Sequence, residues 1–223
     1  MFNNINYRSV TFNLIVINAL MYLITVMVGE KMYELFSLFY PASPLFKPMQ
    51  LVTHMFMHGS TMHLFSNMFA LFMFGTVLEQ VWGAQRFLFF YFVTGIGAML
   101  LHTSVQAFII HNFTGSFAPS LEVINQLPDA AAIYMTPTVG ASGAIFGILI
   151  AFGTLFPNTE LMMLFLPIPI KAKYFVLMYI AWEFYRGISM SEGDNVAHFA
   201  HLGGALFGFL LVKYWNRNRN SLY

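Results

Sequence analysis

The chain has 223 residues, of which 58% are hydrophobic, 18% aromatic and only 9% charged, with a net charge of +1 and no cysteine. An ordinary soluble domain carries about 25% charged residues, so this composition describes a polytopic membrane protein, expected to fold as one helical domain over residues 1–223. A charge this close to zero offers no basic field to nucleic acid, and the lack of cysteine excludes disulfides, thiol catalysis and Cys-ligated metals.

Six apolar runs have spanning or near-spanning length: 10–28, 62–80, 87–108, 142–156, 172–184 and 195–214. The first follows Arg8 but is long for a signal-peptide core and has no small-x-small cleavage site before Glu30-Lys31, so it reads as a span. With the N-terminus inside, the inner segments hold Arg8, Arg86, Lys171, Lys173, Lys213, Arg217 and Arg219, and the outer ones Lys31, Lys47 and Arg186. That asymmetry places both termini in the cytoplasm. The expected fold is an all-α polytopic membrane protein, a compact bundle of six transmembrane helices in a bacterial cytoplasmic membrane. In the first outer loop, Met32 to Tyr40 is apolar and aromatic enough to lie in the membrane interface. The second outer loop, 109–139, holds Glu122 and Asp129 without Lys or Arg and includes the sequon Asn112-Phe113-Thr114. The last, 187–194, has two glycines and is expected to act as a flap.

The chemistry gathers around Ser142. The fourth run is about 22 Å long as a helix at about 1.5 Å per residue, against a bilayer core of about 30 Å, so one of its ends stops short of the surface. Gly140 and Gly143 mark the serine end as irregular backbone, which is tolerated at membrane depth only where protein buries it or it lines a wet cavity. By the topology above, the second, fourth and sixth spans all start at the outer side. His63 and Asn67 lie in the first turns of the second, and His201 sits about 9 Å into the sixth. A serine hydroxyl becomes a nucleophile once a base takes its proton, and an imidazole is sufficient. Gly143 and Gly147, with Gly204 and Gly208, have the spacing that lets membrane helices pack backbone to backbone. Such packing is how Ser142 and His201 are expected to meet. Phe146 lies one turn below Ser142 and is placed to support the imidazole. His63, Asn67 and the Ser142 N–H at a helix N-terminus are candidate donors to an oxyanion.

Blander readings exist for each feature. Glycine pairs at this spacing commonly serve packing alone, and His63 or Asn67 could simply bond between helices. His54, His58 and His63, or His198 with His201, suggest a metal, but no Asp or Glu that reads as buried lies near them in sequence, so no metal is expected. His54 and His58 are assigned to backbone hydrogen bonds, while His102 and His111 look incidental. Glu79 either braces the inner helix ends or meets water. Glu183 pairs at i, i+3 with Arg186, a stability device at best.

At these residues the chain resembles a known family. Gly140-Ala141-Ser142-Gly143, with Phe146 and Gly147, looks like the active-site helix of the rhomboid intramembrane serine proteases. Ala200-His201-Leu202-Gly203-Gly204, with Gly208, resembles their last catalytic helix, and His63-Leu64-Phe65-Ser66-Asn67 their His-x-x-x-Asn element, preceded by His54 and His58. The likeness runs from about Val10 to Tyr214. It implies a Ser–His dyad without a third carboxylate: Ser142 as nucleophile, His201 as base and then acid, and His63, Asn67 and the Ser142 amide as oxyanion hole. It also implies single-span or multi-span membrane proteins as substrates within the lipid bilayer, a lid before Asn195, and no cofactor. Two features depart from the pattern: the length of the 109–139 loop, and Met49 where many members carry Trp. Two competitors stand beside the protease reading. One is a catalytically inactive rhomboid-like binding or quality-control protein, which retention of both Ser142 and His201 argues against. The other is a channel or transporter, disfavoured by the lack of repeat symmetry and of intramembrane charge.

Overall fold

A computed structural model describes residues 9–163, 166–188 and 195–217. Most of the flap segment, with Arg8 and Arg219, lies outside the described residues. The first span is α1 (Val10–Val28), followed by a short α2 (Glu30–Phe36) and α3 (Gln50–Thr53). The second runs through α4 (Thr61–Ala70), a π-helical turn at Leu71–Gly75 and α5 (Thr76–Trp82). Then come α6 (Ala84–Thr114), α7 (Leu121–Asn125), α8 (Pro128–Met135), α9 (Ser142–Leu155), α10 (Ala172–Ile188) and α11 (Asn195–Arg217). The three segments Val10–Val28, Thr61–Trp82 and Ala84–Thr114 are long and apolar enough to cross a membrane. Their exposed Leu, Val, Met and Phe side chains are the surface that lipid, not water, covers.

The bundle is built around α9. Every residue from Gly143 to Gly153 on it is buried, which explains a helix short for a span and apolar all round: its neighbours are protein on every side. Around it pack α6, α11, α10 and the second span. Gly204 on α11 sits so close to α9 that a Cβ there would overlap the Gly143 carbonyl, and one on Gly208 would lie 2.7 Å from Gly147 Cα. The glycine pairs therefore do join these helices. They also do more, because the open sides of Gly143 and Gly147 face α6, where Ala98 and Thr94 fill the space. Each α9 glycine thus admits two neighbours at once.

Three local features depart from the sequence reading. The all-α expectation omits an antiparallel hairpin, β1 (Glu160–Met163) with β2 (Leu166–Lys171), joining α9 to α10. The 109–139 loop is largely helical: α6 runs on through the sequon to Thr114, then α7 and α8 fold back so that Ile124, Ala130 and Tyr134 pack with Tyr40 and Ile110. Part of the stretch from Met32 to Tyr40 is not interfacial, since Leu38, Phe39 and Tyr40 are each under 5% exposed, covered by protein. The segment between α2 and α4 is pinned by buried Gln50, whose Oε1 accepts from the Lys47 N–H (3.0 Å) and whose amide donates to the carbonyls of Glu34 (3.0 Å) and Leu45 (3.1 Å).

At the other end of the molecule, Glu79 has a clear task. Its carboxylate accepts from Ser9 Oγ (2.8 Å), the Val10 N–H (2.7 Å) and the Thr11 N–H (2.9 Å). The first N–H groups of a helix have no internal partner and carry its positive dipole end. A carboxylate from α5 thus caps α1, the brace that was one of its two sequence readings. Beside it Trp82 packs on Trp215 of α11 at 5.1 Å, with Arg86 over the Trp215 ring at 5.3 Å.

Candidate active site

Ser142 is the first residue of α9, and the chain is led to it through a held loop. Leu38 and Thr138 exchange backbone hydrogen bonds (2.9 and 2.8 Å), and the Gly140 N–H donates to the His54 carbonyl at 2.9 Å. His102 Nε2 lies 2.7 Å from Thr138 Oγ1, so His102, read as incidental, in fact ties α6 to this loop. Gly140 has φ +126°, a conformation that only glycine adopts without strain. A Cβ on it would also stand 3.0 Å from the His63 ring and 3.5 Å from Ser142 Oγ. His63 and Ser142 therefore face one small volume, and Gly140 keeps it open.

His201 Nε2 lies 2.8 Å from Ser142 Oγ. Phe146 stacks on the His201 ring at 4.3 Å with 9° between planes, and Tyr179 of α10 backs Phe146 at 4.8 Å. On the opposite side of the serine, Ser60 caps α4 by accepting from the His63 N–H at 3.1 Å. That start orients His63 and, one turn on, Asn67. Asn67 is 6% exposed, and its Nδ2 has no hydrogen-bond partner among the described residues. A buried donor left unsatisfied costs about 1–3 kcal/mol, so this amide is one that an incoming acceptor would satisfy. His58 packs edge-on against His63 at 5.1 Å. His54 sits in the loop with its Nδ1 2.8 Å from the Gln50 carbonyl, and burial pushes its pKa down to about 4. It is a neutral, structural histidine at ordinary pH.

The remaining ring nitrogen of His201 reveals what the sequence reading missed. His201 Nδ1 lies 2.9 Å from Glu183 Oε2, and His198 Nδ1 lies 2.6 Å from the same oxygen. Glu183 is 5% exposed. The carboxylate assigned to a pairing with Arg186 reaches instead from α10 to two histidines of α11. The premise that no buried carboxylate stands near these histidines fails in space, because Glu183 is 15 residues from His198 along the chain and in contact with it. Glu183, His198 and His201 each offer a ligand atom within 4.8 Å of the others, a set able in principle to hold a cation. The only available signal was a carboxylate within an apolar span, which is a functional suspect by default.

A cavity of about 40 Å³ touches Ser142, His201 and Gly140, room for a water molecule by volume. The larger cavity, about 450 Å³, lies between α9, α10 and α11 and is lined almost wholly by apolar side chains such as Ile150, Val176 and Phe209. It holds no convergent polar groups, so size alone does not mark the site.

Fold and site together define a class: a multi-pass integral membrane protein with a serine and a histidine joined at the head of its central helix. The comparisons narrow this. The rhomboid domain model matches residues 45–217, and the chain belongs to the rhomboid family. Rhomboid protein 1, mitochondrial, of Saccharomyces cerevisiae is 31% identical over 159 residues, 71% of this chain and 39% of its own. Presenilin-associated rhomboid-like protein, mitochondrial, of Homo sapiens is 30% identical over 197 residues, covering 82% and 42%. Rhomboid protease AarA of Providencia stuartii is 31% identical over 170 residues, covering 70% and 52%. The chain spans about half or less of the length of these relatives. The expected bacterial cytoplasmic membrane gains no support from them, since the first two are mitochondrial by name.

Proposed function

We propose that this chain is an intramembrane serine endopeptidase acting on transmembrane proteins through an acyl-enzyme. The observation that carries the reading is the 2.8 Å contact between Ser142 Oγ and His201 Nε2, formed at a helix N-terminus inside a membrane bundle of the rhomboid family. A relative named as a protease adds to it. Ser142 Oγ attacks the scissile carbonyl while His201 Nε2 takes its proton. The oxyanion that forms is met by the Ser142 N–H, at the positive end of α9, by Asn67 Nδ2 and by His63. His201 returns the proton to the leaving amine, and a water activated by the same imidazole releases the acyl group. Phe146 holds the ring face, Gly140 leaves room for the substrate carbonyl, and Gly143 and Gly204 let α9 and α11 approach. Six spans with both termini on the side rich in Lys and Arg complete the reading.

The test is cleavage of a single-span substrate by the purified protein in detergent, beside Ser142→Ala and His201→Ala. Cleavage is expected to vanish in both variants while their melting curves match that of the parent. Cleavage that survives Ser142→Ala overturns the assignment. If no form cleaves, reaction of the parent with a fluorophosphonate at Ser142 separates a selective protease from an inert relative.

A further inference from the structure

We propose that Glu183 is a positioning residue for the Ser142–His201 pair, so that the site works as a carboxylate-backed triad and not as a bare dyad. The inference rests on the protease reading above. It begins from one oxygen, Glu183 Oε2, which lies 2.9 Å from His201 Nδ1 and 2.6 Å from His198 Nδ1.

A neutral imidazole carries a single ring proton, and the partner of each nitrogen decides where it sits. A carboxylate only accepts, so Glu183 holds the His201 proton on Nδ1. The Nε2 lone pair then faces Ser142 Oγ at 2.8 Å, which is the form a base requires. With the proton on Nε2 instead, His201 would donate to the serine oxygen and have no basic nitrogen beside it. During attack the Ser142 O–H bond breaks and an Nε2–H bond forms. The resulting imidazolium lies against the carboxylate, then returns to neutral as its proton leaves with the amine. Glu183 gives up and receives no proton at any point.

The surroundings fit this task. A buried carboxylate is costly unless it is hydrogen-bonded, and Glu183, 5% exposed, has both histidine Nδ1 atoms within hydrogen-bond distance of Oε2. His198 shares the same oxygen and fixes the carboxylate from a second direction. Phe146 covers one ring face of His201 and Tyr179 backs Phe146, leaving the imidazole held at its edge by Glu183 and across its face by Phe146. A brace between α10 and α11 would need only one of the two histidines. It would not need the carboxylate in line behind the nitrogen opposite Ser142.

The experiment combines two measurements on the full chain in detergent micelles: ¹⁵N NMR of the histidine rings, and steady-state cleavage by Glu183→Gln, Glu183→Ala and Glu183→Asp. In the parent, His201 is expected to be protonated at Nδ1 and bare at Nε2, and that state should be lost in Glu183→Gln and Glu183→Ala. Their kcat should fall by about 10²- to 10⁴-fold, the scale set by the equivalent carboxylate of soluble serine proteases, with little change in KM. Glu183→Asp should recover part of the loss. The Gln variant keeps the size of the side chain, so it guards against an Ala variant that fails to fold. A parent-like ring state with kcat within about threefold of the parent in Glu183→Gln overturns the inference, on the same catalytic scale. The two readings fail separately. Cleavage surviving Ser142→Ala removes the protease assignment, while the ring state still reports whether Glu183 sets the tautomer.

Discussion

Glu79 and Glu183 hold opposite ends of this bundle with the same functional group and different donors. Around Glu79 the donors are two backbone N–H groups and a serine hydroxyl, none of which gains or loses a proton at ordinary pH. Around Glu183 they are two imidazoles, the side chain used most often for general acid–base catalysis. One carboxylate therefore terminates a helix, while the other stands where it controls a proton. Neither difference lies in the carboxylate or in its local sequence. Both glutamates sit near the end of an apolar helix, where Glu79 read as a brace or a group meeting water and Glu183 as an ion pair with Arg186. What distinguishes them is the face of the neighbouring helix that each one meets.

The neighbouring helices differ as well. The Ser142 end is closed by glycine, with backbone against backbone at Gly143 and Gly204, so small displacements there move Ser142 relative to His201. The Glu79 end is closed by large rings, with Trp82, Phe90 and Trp215 packed within 6 Å of one another. Rings fill space but set position less tightly than a backbone contact does. The precise end is the one bearing the chemistry.

The most damaging way to test this contrast is Gly204→Ala. Its new Cβ has only the Gly143 carbonyl to meet, and backbone cannot rotate away. Overpacking of this kind costs about 1–3 kcal/mol, and cleavage is expected to fall by at least about 100-fold as α11 moves off α9, since a misplacement near 1 Å has that effect. Parent-like activity in this variant would show that the Ser142 end is not set by glycine contact. Glu79→Ala should give the reverse pattern to Glu183→Gln. Loss of a charged cap is expected to lower stability by about 2 kcal/mol, read as a lower melting temperature, with kcat of the folded fraction unchanged. A large loss of kcat with no change in melting would erase the distinction between the two carboxylates. The mildest change is Phe146→Leu, which keeps bulk beside the imidazole and removes the stacked ring. A stacked aromatic contributes about 0.5–1.5 kcal/mol, so kcat should drop by no more than about tenfold; a loss as deep as that of Glu183→Gln would mean that the ring face, not the carboxylate, orients His201.

The site was readable in the sequence to different depths. Ser142, His201, Gly204 and Phe146 could be placed because helical spacing puts them on defined faces, and because glycine at i, i+4 announces a close approach. Gly140 was legible as irregular backbone, and its +126° φ is the physical reason. Asn67 was legible as a neighbour of His63, but not its unpartnered amide, which depends on what fails to reach it. The metal question turned on nearness along the chain, which is a poor guide to nearness in space. His102, Tyr179 and Gln50 gave no signal, since a lone polar or aromatic residue in an apolar run looks the same whether or not it has a partner.

By itself the sequence determined the medium, the approximate bounds of the long helices and the head of α9, because these follow from hydropathy, from helical rise and from the backbone freedom of glycine, all of which act over a few residues. Only the tertiary structure decided that Glu183 stands behind His201, that Glu79 caps a helix some 70 residues away, and that α9 is enclosed on every side. Those outcomes depend on how helices rotate and cross. Rotation and crossing are fixed by the summed packing of whole helices against each other, a quantity that no local pattern of residues records.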